Sequence, residues 1–365
     1  MDPVTYLAAH AAPADAAHAA NVCLMRYGRG RGGGGGGGNH SAAARYPFGN
    51  PVSIEREHVA HVRMTPYWVA EKSDGVRVAL VLTRTPGART PVAVLLGRDD
   101  AASLLEVTCH AHFFNDSVFD AELVPYGGGG GGPDALLLLV FDAAVLAGDA
   151  SVAHLPLSER RAVLDAVLPS QVVGDAAARA TAVAELRIVA ADAAVHVVAK
   201  PMLPLFGPRY RRDAALDDVA ALHAALRHAS DGYILTPEDA PAALPGTAPA
   251  VFKLKTVHTL DLRWNAGELW YASGDDDFPL HGIAAAAPFL AAARTADALW
   301  ARLRDVAPGA VVEVGVHVGG VGGDAAVYLS FERVRVDRAG PNQTLCATRT
   351  FASARDAVTL ADVLP

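Results

Sequence analysis

Of the 31 basic residues in this chain only four are lysines, Lys72, Lys200, Lys253 and Lys255; arginine fills every other basic position. Lysine differs from arginine in that it can lose its proton and act as a nucleophile, and in presenting a compact point charge. The four survivors are therefore the first candidates for chemistry. Lys72 stands in Glu71-Lys72-Ser73-Asp74-Gly75-Val76-Arg77, directly after one strand-like run and directly before another. A lysine nucleophile needs a lowered pKa, which neighbouring cations and partial burial supply, and Arg77 is placed to contribute. Gly75 lets the backbone approach a nucleotide closely, and Arg77 offers a planar fork for ribose or phosphate oxygens. The same residues also suit a plain hairpin turn. Lys253 and Lys255 are two apart on a strand and share a face, which suits two cations converging on one phosphate group.

These residues must be held by a chain of 365 residues, a length that argues for two domains with real cores. Hydrophobic residues make up 52% and the mean hydropathy is +0.22, but alanine supplies much of that, at about one residue in five. No window of 18 or more strongly apolar residues occurs, so a membrane span is not expected. Met1-Asp2-Pro3 lacks the basic and apolar regions of a secretory signal, which points to an intracellular protein. Three cysteines without a CxxC pattern exclude a disulfide framework and a cysteine zinc site. Among the histidines there is no HExxH, and the single HxxH pair is His58 and His61. A net charge of −8 excludes a general nucleic-acid coat, so any RNA contact should be a local patch.

Residues 1–45 are Ala-rich and then Gly-rich, which predicts a mostly disordered tail. The GxGxxG matches within Gly32–Gly38 lack a preceding strand, a following helix and a Gly-Lys-Ser/Thr ending, so they are not a phosphate loop. A second glycine run, Gly127–Gly132, reads as a loop tip between two apolar strands. Strand-like runs dominate 67–254, with helical patches near 158–168, 174–186 and 213–229. After Lys255 the pattern becomes four or five alternating strands around one Ala-rich helix at 286–305, which suits a small barrel of the OB type.

Further motifs follow Lys72 in order. K-x-D-G-x-R resembles motif I of the covalent nucleotidyltransferases, the superfamily of mRNA capping enzymes and polynucleotide ligases. Phe119-Asp120-Ala121-Glu122-Leu123 resembles motif III, with Ala121 replacing a glycine. Val140-Phe141-Asp142 resembles motif IIIa, Ser230-Asp231-Gly232-Tyr233-Ile234 motif IV and Phe252-Lys253-Leu254-Lys255 motif V. Two stretches favour capping enzymes over ligases. Phe48-Gly49-Asn50-Pro51-Val52-Ser53 resembles their F-x-G-x-x-P-V-S segment, with Phe and Pro closer together here. Arg335-Val336-Asp337-Arg338-Ala339-Gly340-Pro341-Asn342 resembles their motif VI, R-x-D-K-x-x-P-N, with Arg338 replacing the lysine. The resemblance covers about residues 46–364.

It implies an α+β fold: an antiparallel-sheet nucleotidyltransferase domain of the ligase type (ATP-grasp-like), residues 46–256, completed by a C-terminal helix at 350–365, and an OB-fold β-barrel domain at 257–349. It implies that Lys72 attacks the α-phosphorus of GTP, with Lys255 nearer the α-phosphate than Lys253. Arg335 and Arg338 would meet the β- and γ-phosphates on domain closure. Asp337 either positions metal-bound pyrophosphate or pairs with a neighbouring arginine. A divalent ion, Mg²⁺ or Mn²⁺, is expected at Asp231 and Glu122, with Glu122 alternatively on a ribose hydroxyl. Phe141 would stack on guanine, or else is a core residue, and Lys200 would donate to guanine O6. Asp74 either orients Lys72 or caps the turn, and Arg98, in a turn after motif I, is a nucleotide-binding candidate or merely solvated.

The activity implied is that of a GTP:mRNA guanylyltransferase: GTP and a 5′-diphosphate RNA end give GpppRNA through lysyl-GMP. The chain has no Cys-His phosphatase signature, so RNA triphosphatase and cap methyltransferase activities would come from other polypeptides, with RNA polymerase a further candidate partner, in a nucleus or at a viral transcription site. The rival readings are an ATP-dependent RNA or DNA ligase, and an inactive homologue binding RNA ends or a polymerase tail.

Overall fold

The computed structural model describes residues 1–28, 46–126, 135–169, 187–206, 212–226, 228–242, 246–255, 258–265, 267–296, 298–319, 326–336, 338–356 and 358–364. They divide into two units: Met1–Val52 with Met64–Lys253 and Leu364–Pro365, and Ser53–Arg63 with Leu254–Val363. The chain opens with helices α1 (Pro3–Ala9) and α2 (Ala14–Gly28), then β1 (Asn50–Ser53) and α3 (Arg56–Met64). Strands β2 (Tyr67–Ser73), β3 (Val76–Arg84), β4 (Pro91–Leu96), β5 (Ala102–Leu104), β6 (Val107–Thr108), β7 (Ser117–Tyr126) and β8 (Ala135–Val145) follow. After α4 (Leu157–Val167) come β9 (Val189–Ala190), β10 (Val195–Ala199), β11 (Leu203–Pro204), α5 (Arg212–Ala224), β12 (Ser230–Pro237) and β13 (Thr247–Lys255).

The first unit is built on two sheets, β1-β13-β12-β2-β11 and β10-β8-β7-β3-β4-β5. Strand β3 pairs antiparallel with both β4 and β7, while β10 runs parallel to β8. Its run Val78–Leu82 is fully buried because both faces of the sheet are covered. Val78, Leu80 and Leu82 enter one core with Phe119, Leu138 and Leu164; Ala79 and Val81 enter a second with residues of α2.

That second core explains why the N-terminal segment is not the disordered tail its composition predicts. Ala16, Ala20, Cys23 and Leu24 recur at helical spacing and bury one face of α2. An all-alanine background hides such a stripe. Helix α1 starts where Asp2 accepts a hydrogen bond from Thr5 N and Pro3 supplies a preset φ at the first turn. Its far end is tied to β5: Ser103 Oγ donates to Leu7 O at 2.7 Å and Leu104 N to His10 O at 2.8 Å. Residues 29–45, the glycine run 127–132 and the helix expected at 174–186 lie outside the described residues.

Strands β2 and β3 do not form a hairpin. They belong to different sheets, and only Asp74 and Gly75 join them. At Gly75 a Cβ would lie 2.5 Å from both Leu123 O and Val124 Cγ1 of β7, so the glycine serves close passage against protein backbone.

The second unit adds β14 (His258–Asn265), β15 (Glu268–Ser273), β16 (Asp276–Pro279), α6 (Ala287–Ala296), α7 (Ala298–Leu303), β17 (Val311–Gly319), β18 (Ala326–Val334), α8 (Thr344–Arg355) and α9 (Leu360–Val363). The five strands form one sheet ordered β16-β15-β14-β17-β18, antiparallel throughout. Among the described residues no ladder joins β16 to β18, so the closed barrel expected from the strand count is not seen in them. The C-terminal helix, expected to complete the first domain, packs in the second unit instead. Phe351 of α8 meets Phe289 of α6 at 5.1 Å between ring centroids, in a core with Leu262, Val314 and Leu329. Helix α3 also falls in the second unit, although the sequence places its residues in the first domain.

Replacing Gly75 with alanine tests the crossover. At a compatible backbone position this change stabilises a protein by a few tenths to about 1 kcal/mol. Here the new methyl meets backbone, and we expect a loss of about 1–3 kcal/mol in urea unfolding, the usual cost of overpacking.

Candidate active site

Both sheets of the first unit contribute to a cavity of about 940 Å³. Lys72, Arg77, Arg98, Glu122, Phe141, Lys200 and Lys253 all line it, so seven of the residues singled out from the sequence share one space. Lys72 and Arg77 reach it from either side of the Asp74–Gly75 crossover. Strand alternation puts Phe252 and Leu254 in the core and turns Lys253 towards the cavity. Lys255, two residues on, belongs to the second unit.

Lys72 Nζ lies 2.9 Å from Asp231 Oδ2 and 2.7 Å from Oδ1, and its side chain is about a quarter exposed. Asp231 is thus the carboxylate on the lysine. Asp74 has an exposed side chain and contributes its backbone N–H, which donates to Ala229 O at 3.0 Å.

Arg77 is fixed by Asp120, a motif III residue to which the sequence assigns no role. Its Nε donates to Asp120 Oδ1 at 2.9 Å, its Nη2 to Asp120 Oδ2, and its Nη1 to Gly49 O at 3.0 Å. The guanidinium lies 5.7 Å from the Tyr46 ring centroid and 5.5 Å from that of Phe141. Burial would lower the Arg77 pKa, but the Asp120 carboxylate outweighs it and the net direction is up. The Arg98 guanidinium lies 5.8 Å from the same Tyr46 centroid, and burial together with the nearby Arg77 charge lowers its pKa. Two guanidiniums that raise each other's energy make a site that an anion relieves.

Asp120 and Glu122 sit on the cavity face of β7, and Ala121 between them is fully buried in the core. The methyl that replaces the glycine of motif III therefore takes no space in the cavity. Phe141 is half-buried and lines the cavity, so it is not the core phenylalanine that its apolar strand also allowed.

Lys200 is 2% exposed. Its Nζ donates to Ser73 Oγ at 2.8 Å and lies 3.2 Å from Glu71 Oε1, 3.8 Å from Glu122 Oε2 and 5.6 Å from the Phe141 centroid. His228 Nε2 is 2.9 Å from the same Glu71 oxygen. Burial alone would raise the Glu71 pKa; the Lys200 ammonium, with His228 and Ser73, holds it down at about 2. Glu71 and His228 carry no motif signal, and only the fold brings them beneath the site.

Of the two carboxylates expected to hold a divalent ion, Glu122 lines the cavity 3.8 Å from Lys200, and Asp231 pairs with Lys72, which lines it. Burial raises the Glu122 pKa despite Lys200 and Lys72. Among the described residues no group of three His, Cys, Asp or Glu side chains gathers as a metal site. This donor set fits an ion that takes most of its oxygens from phosphate and water.

In the second unit Arg335 Nη1 donates to Asp261 Oδ1 at 2.7 Å, and Arg338 Nε lies 3.5 Å from Asp261 Oδ2. Asn342 Oδ1 accepts from Asp261 N at 2.7 Å, which pins the Pro-Asn end of the motif to β14. Asp337 lies outside the described residues.

A model of the family described as mRNA capping enzyme, catalytic domain, matches residues 38–257, which include every motif from Lys72 to Lys255. The chain belongs to this capping-enzyme family. The mRNA-capping enzyme subunit alpha of Neurospora crassa is 27% identical over 235 residues, 60% of this chain and 53% of that protein, so the chain spans about half the length of this relative. Among solved structures, a mycobacterial DNA ligase D complexed with ATP and MES aligns with TM-score 0.41 and 14% identity over 80% of this chain and 96% of the other. The ligase domain of M. tuberculosis LigD aligns with TM-score 0.37 and 15% identity, with the same coverage.

The Arg77–Asp120 pair gives a direct check on this geometry. Asp120→Ala leaves a guanidinium buried without its partner, and we expect a loss of about 3–5 kcal/mol in chemical denaturation. The double variant Arg77→Met/Asp120→Ala should recover part of it.

Proposed function

We propose that the chain is a GTP:mRNA guanylyltransferase that transfers GMP through lysyl-GMP to a 5′-diphosphate RNA end. The observation that carries the reading is Lys72, held by Asp231, in a cavity that also presents Arg77, Arg98, Lys253 and Lys200 around Phe141. A lysine, two guanidiniums and an aromatic face match the parts of a nucleoside triphosphate.

In the first step Lys72 Nζ, as the neutral amine, attacks the α-phosphorus of GTP; the bond to the bridging α–β oxygen breaks and pyrophosphate leaves. The nitrogen sheds its proton as the N–P bond forms, and Asp231 is the acceptor within hydrogen-bond reach. In the second step an oxygen of the RNA β-phosphate attacks the same phosphorus. The N–P bond breaks, Nζ takes its proton back, and GpppRNA is released. Lys253 and Lys255 serve the α-phosphate, Arg77 the ribose, Arg98 the phosphate chain, and Arg335 and Arg338 the β- and γ-phosphates. Phe141 stacks on guanine, and Lys200 donates to its O6. Asp231 and Glu122 would hold Mg²⁺ or Mn²⁺ along with phosphate oxygens, and such an ion supplies charge neutralisation at the transferring group.

The RNA end must come from a triphosphatase and pass to a cap methyltransferase on other chains. Subunit alpha in the fungal relative's name is in keeping with a partner subunit. The reading places the protein inside the cell, where transcripts are made. Among the described residues no helix is long and apolar enough to cross a membrane.

Incubation with α-labelled GTP or α-labelled ATP tests the proposal. We expect covalent label from GTP, none from Lys72→Arg or Lys72→Ala, and retained labelling from Arg338→Lys, since Arg338 supplies charge alone. Label from ATP alone, or undiminished label on Lys72→Arg, overturns it.

A further inference from the structure

The ionic cluster beneath Lys200 is larger than binding one lysine requires. Glu71 is 1% exposed, the His228 side chain is fully buried, and neither lines the cavity. Among the described residues Glu71 Oε2 and His228 Nδ1 are buried with no hydrogen-bond partner. Burying a carboxylate, an ammonium and an imidazole together costs desolvation that their mutual attraction repays only when the geometry is good, so stability alone is a weak reason to keep them. An arrangement that fixes the direction of one group explains them better.

That group is Lys200. Its ammonium has three donors; Ser73 Oγ takes one, at 2.8 Å, and Glu71 Oε1 draws a second, at 3.2 Å. The nearest other carboxylate oxygen, on Glu122, is 3.8 Å away, beyond hydrogen-bond reach. The third N–H is left for a ligand in the cavity, next to the Phe141 ring. Glu71 is itself clamped, because Ser73 Oγ donates to its Oε1 at 2.7 Å and His228 Nε2 meets the same oxygen at 2.9 Å. Glu71 and Ser73 lie on β2, whereas Lys200 follows β10 of the other sheet, its N–H on Val140 O at 2.8 Å. The cluster therefore sets where one sheet's cation stands relative to the other sheet's nucleophile.

We propose that Glu71, braced by His228, positions the Lys200 ammonium so that its free N–H meets a carbonyl oxygen at the 6-position of a purine, and that this pair sets the selection of guanine. This rests on the guanylyltransferase reading. Glu71 and His228 are positioning residues: they touch no substrate and act through Lys200.

The test compares covalent labelling by α-labelled GTP with that by the triphosphate of 2-aminopurine riboside, which keeps the 2-amino group and lacks the 6-oxygen. In the wild type GTP should be preferred by about tenfold or more, the worth of one charge-assisted hydrogen bond. Glu71→Gln should bring the preference towards unity by raising KM for GTP, with a much smaller change in kcat. His228→Leu should do the same, and His228→Gln, which can still donate to Glu71, should restore the preference. If Glu71→Gln does not fold, the two His228 variants decide. Equal losses for both nucleotides in Glu71→Gln, or in His228→Leu, overturn the inference while leaving the guanylyltransferase reading intact. A wild type that labels with ATP and not GTP overturns both.

Discussion

The change of sheet between Ser73 and Val76 is the constraint on which the rest depends. Two residues carry the chain from the end of β2 into the start of β3, so Lys72 and Arg77 face one cavity from different sheets. Gly75 allows this because β7 runs where its side chain would be. β7 in turn brings Asp120 to Arg77 and Glu122 towards Lys200. The K-x-D-G-x-R spacing thus reflects a passage between layers, and its functional geometry follows from that passage.

Charge organises the space that results. Each cation of the cavity whose contacts are described leans on a carboxylate or an aromatic ring: Lys72 on Asp231, Arg77 on Asp120, Lys200 on Glu71, Arg98 against Tyr46. Paired in this way, the cations keep fixed directions without substrate, which is the preorganisation that the proposed transfer step needs. The second unit repeats the device, with Asp261 holding both arginines of its motif.

Much of this was legible in the sequence, for identifiable reasons. The strands at 76–82, 118–124, 136–141 and 195–199 announce themselves as apolar runs because their sheet is covered on both faces, and the structure finds them within β3, β7, β8 and β10. The helix at 158–168 shows in the spacing of Leu157, Leu164 and Val167. Of the motif residues legible in the sequence, Lys72, Phe141, Lys200 and Lys253 come to share one cavity. What was hidden lacks local signal. The first half of the stripe on α2, Ala16 and Ala20, is alanine among alanines, and α8 shows an amphipathic face but not which core it joins. Glu71, Tyr46 and His228 became site residues only when strands distant in sequence came together, and Asp120, though inside motif III, gained its role as the partner of Arg77 in the same way. Ala121, a departure when read as a motif letter, turns its methyl into the core and takes no space in the cavity.

The central claim is that Lys72 itself forms the bond to phosphorus. Incubating the full chain with unlabelled GTP and a divalent ion, then digesting it at alkaline pH where a phosphoramidate survives, allows the modified peptide to be found by mass spectrometry. The account predicts a single GMP adduct, on Lys72, lost after acid treatment. An adduct on Lys200, Lys253 or Lys255 with Lys72 unmodified would contradict it.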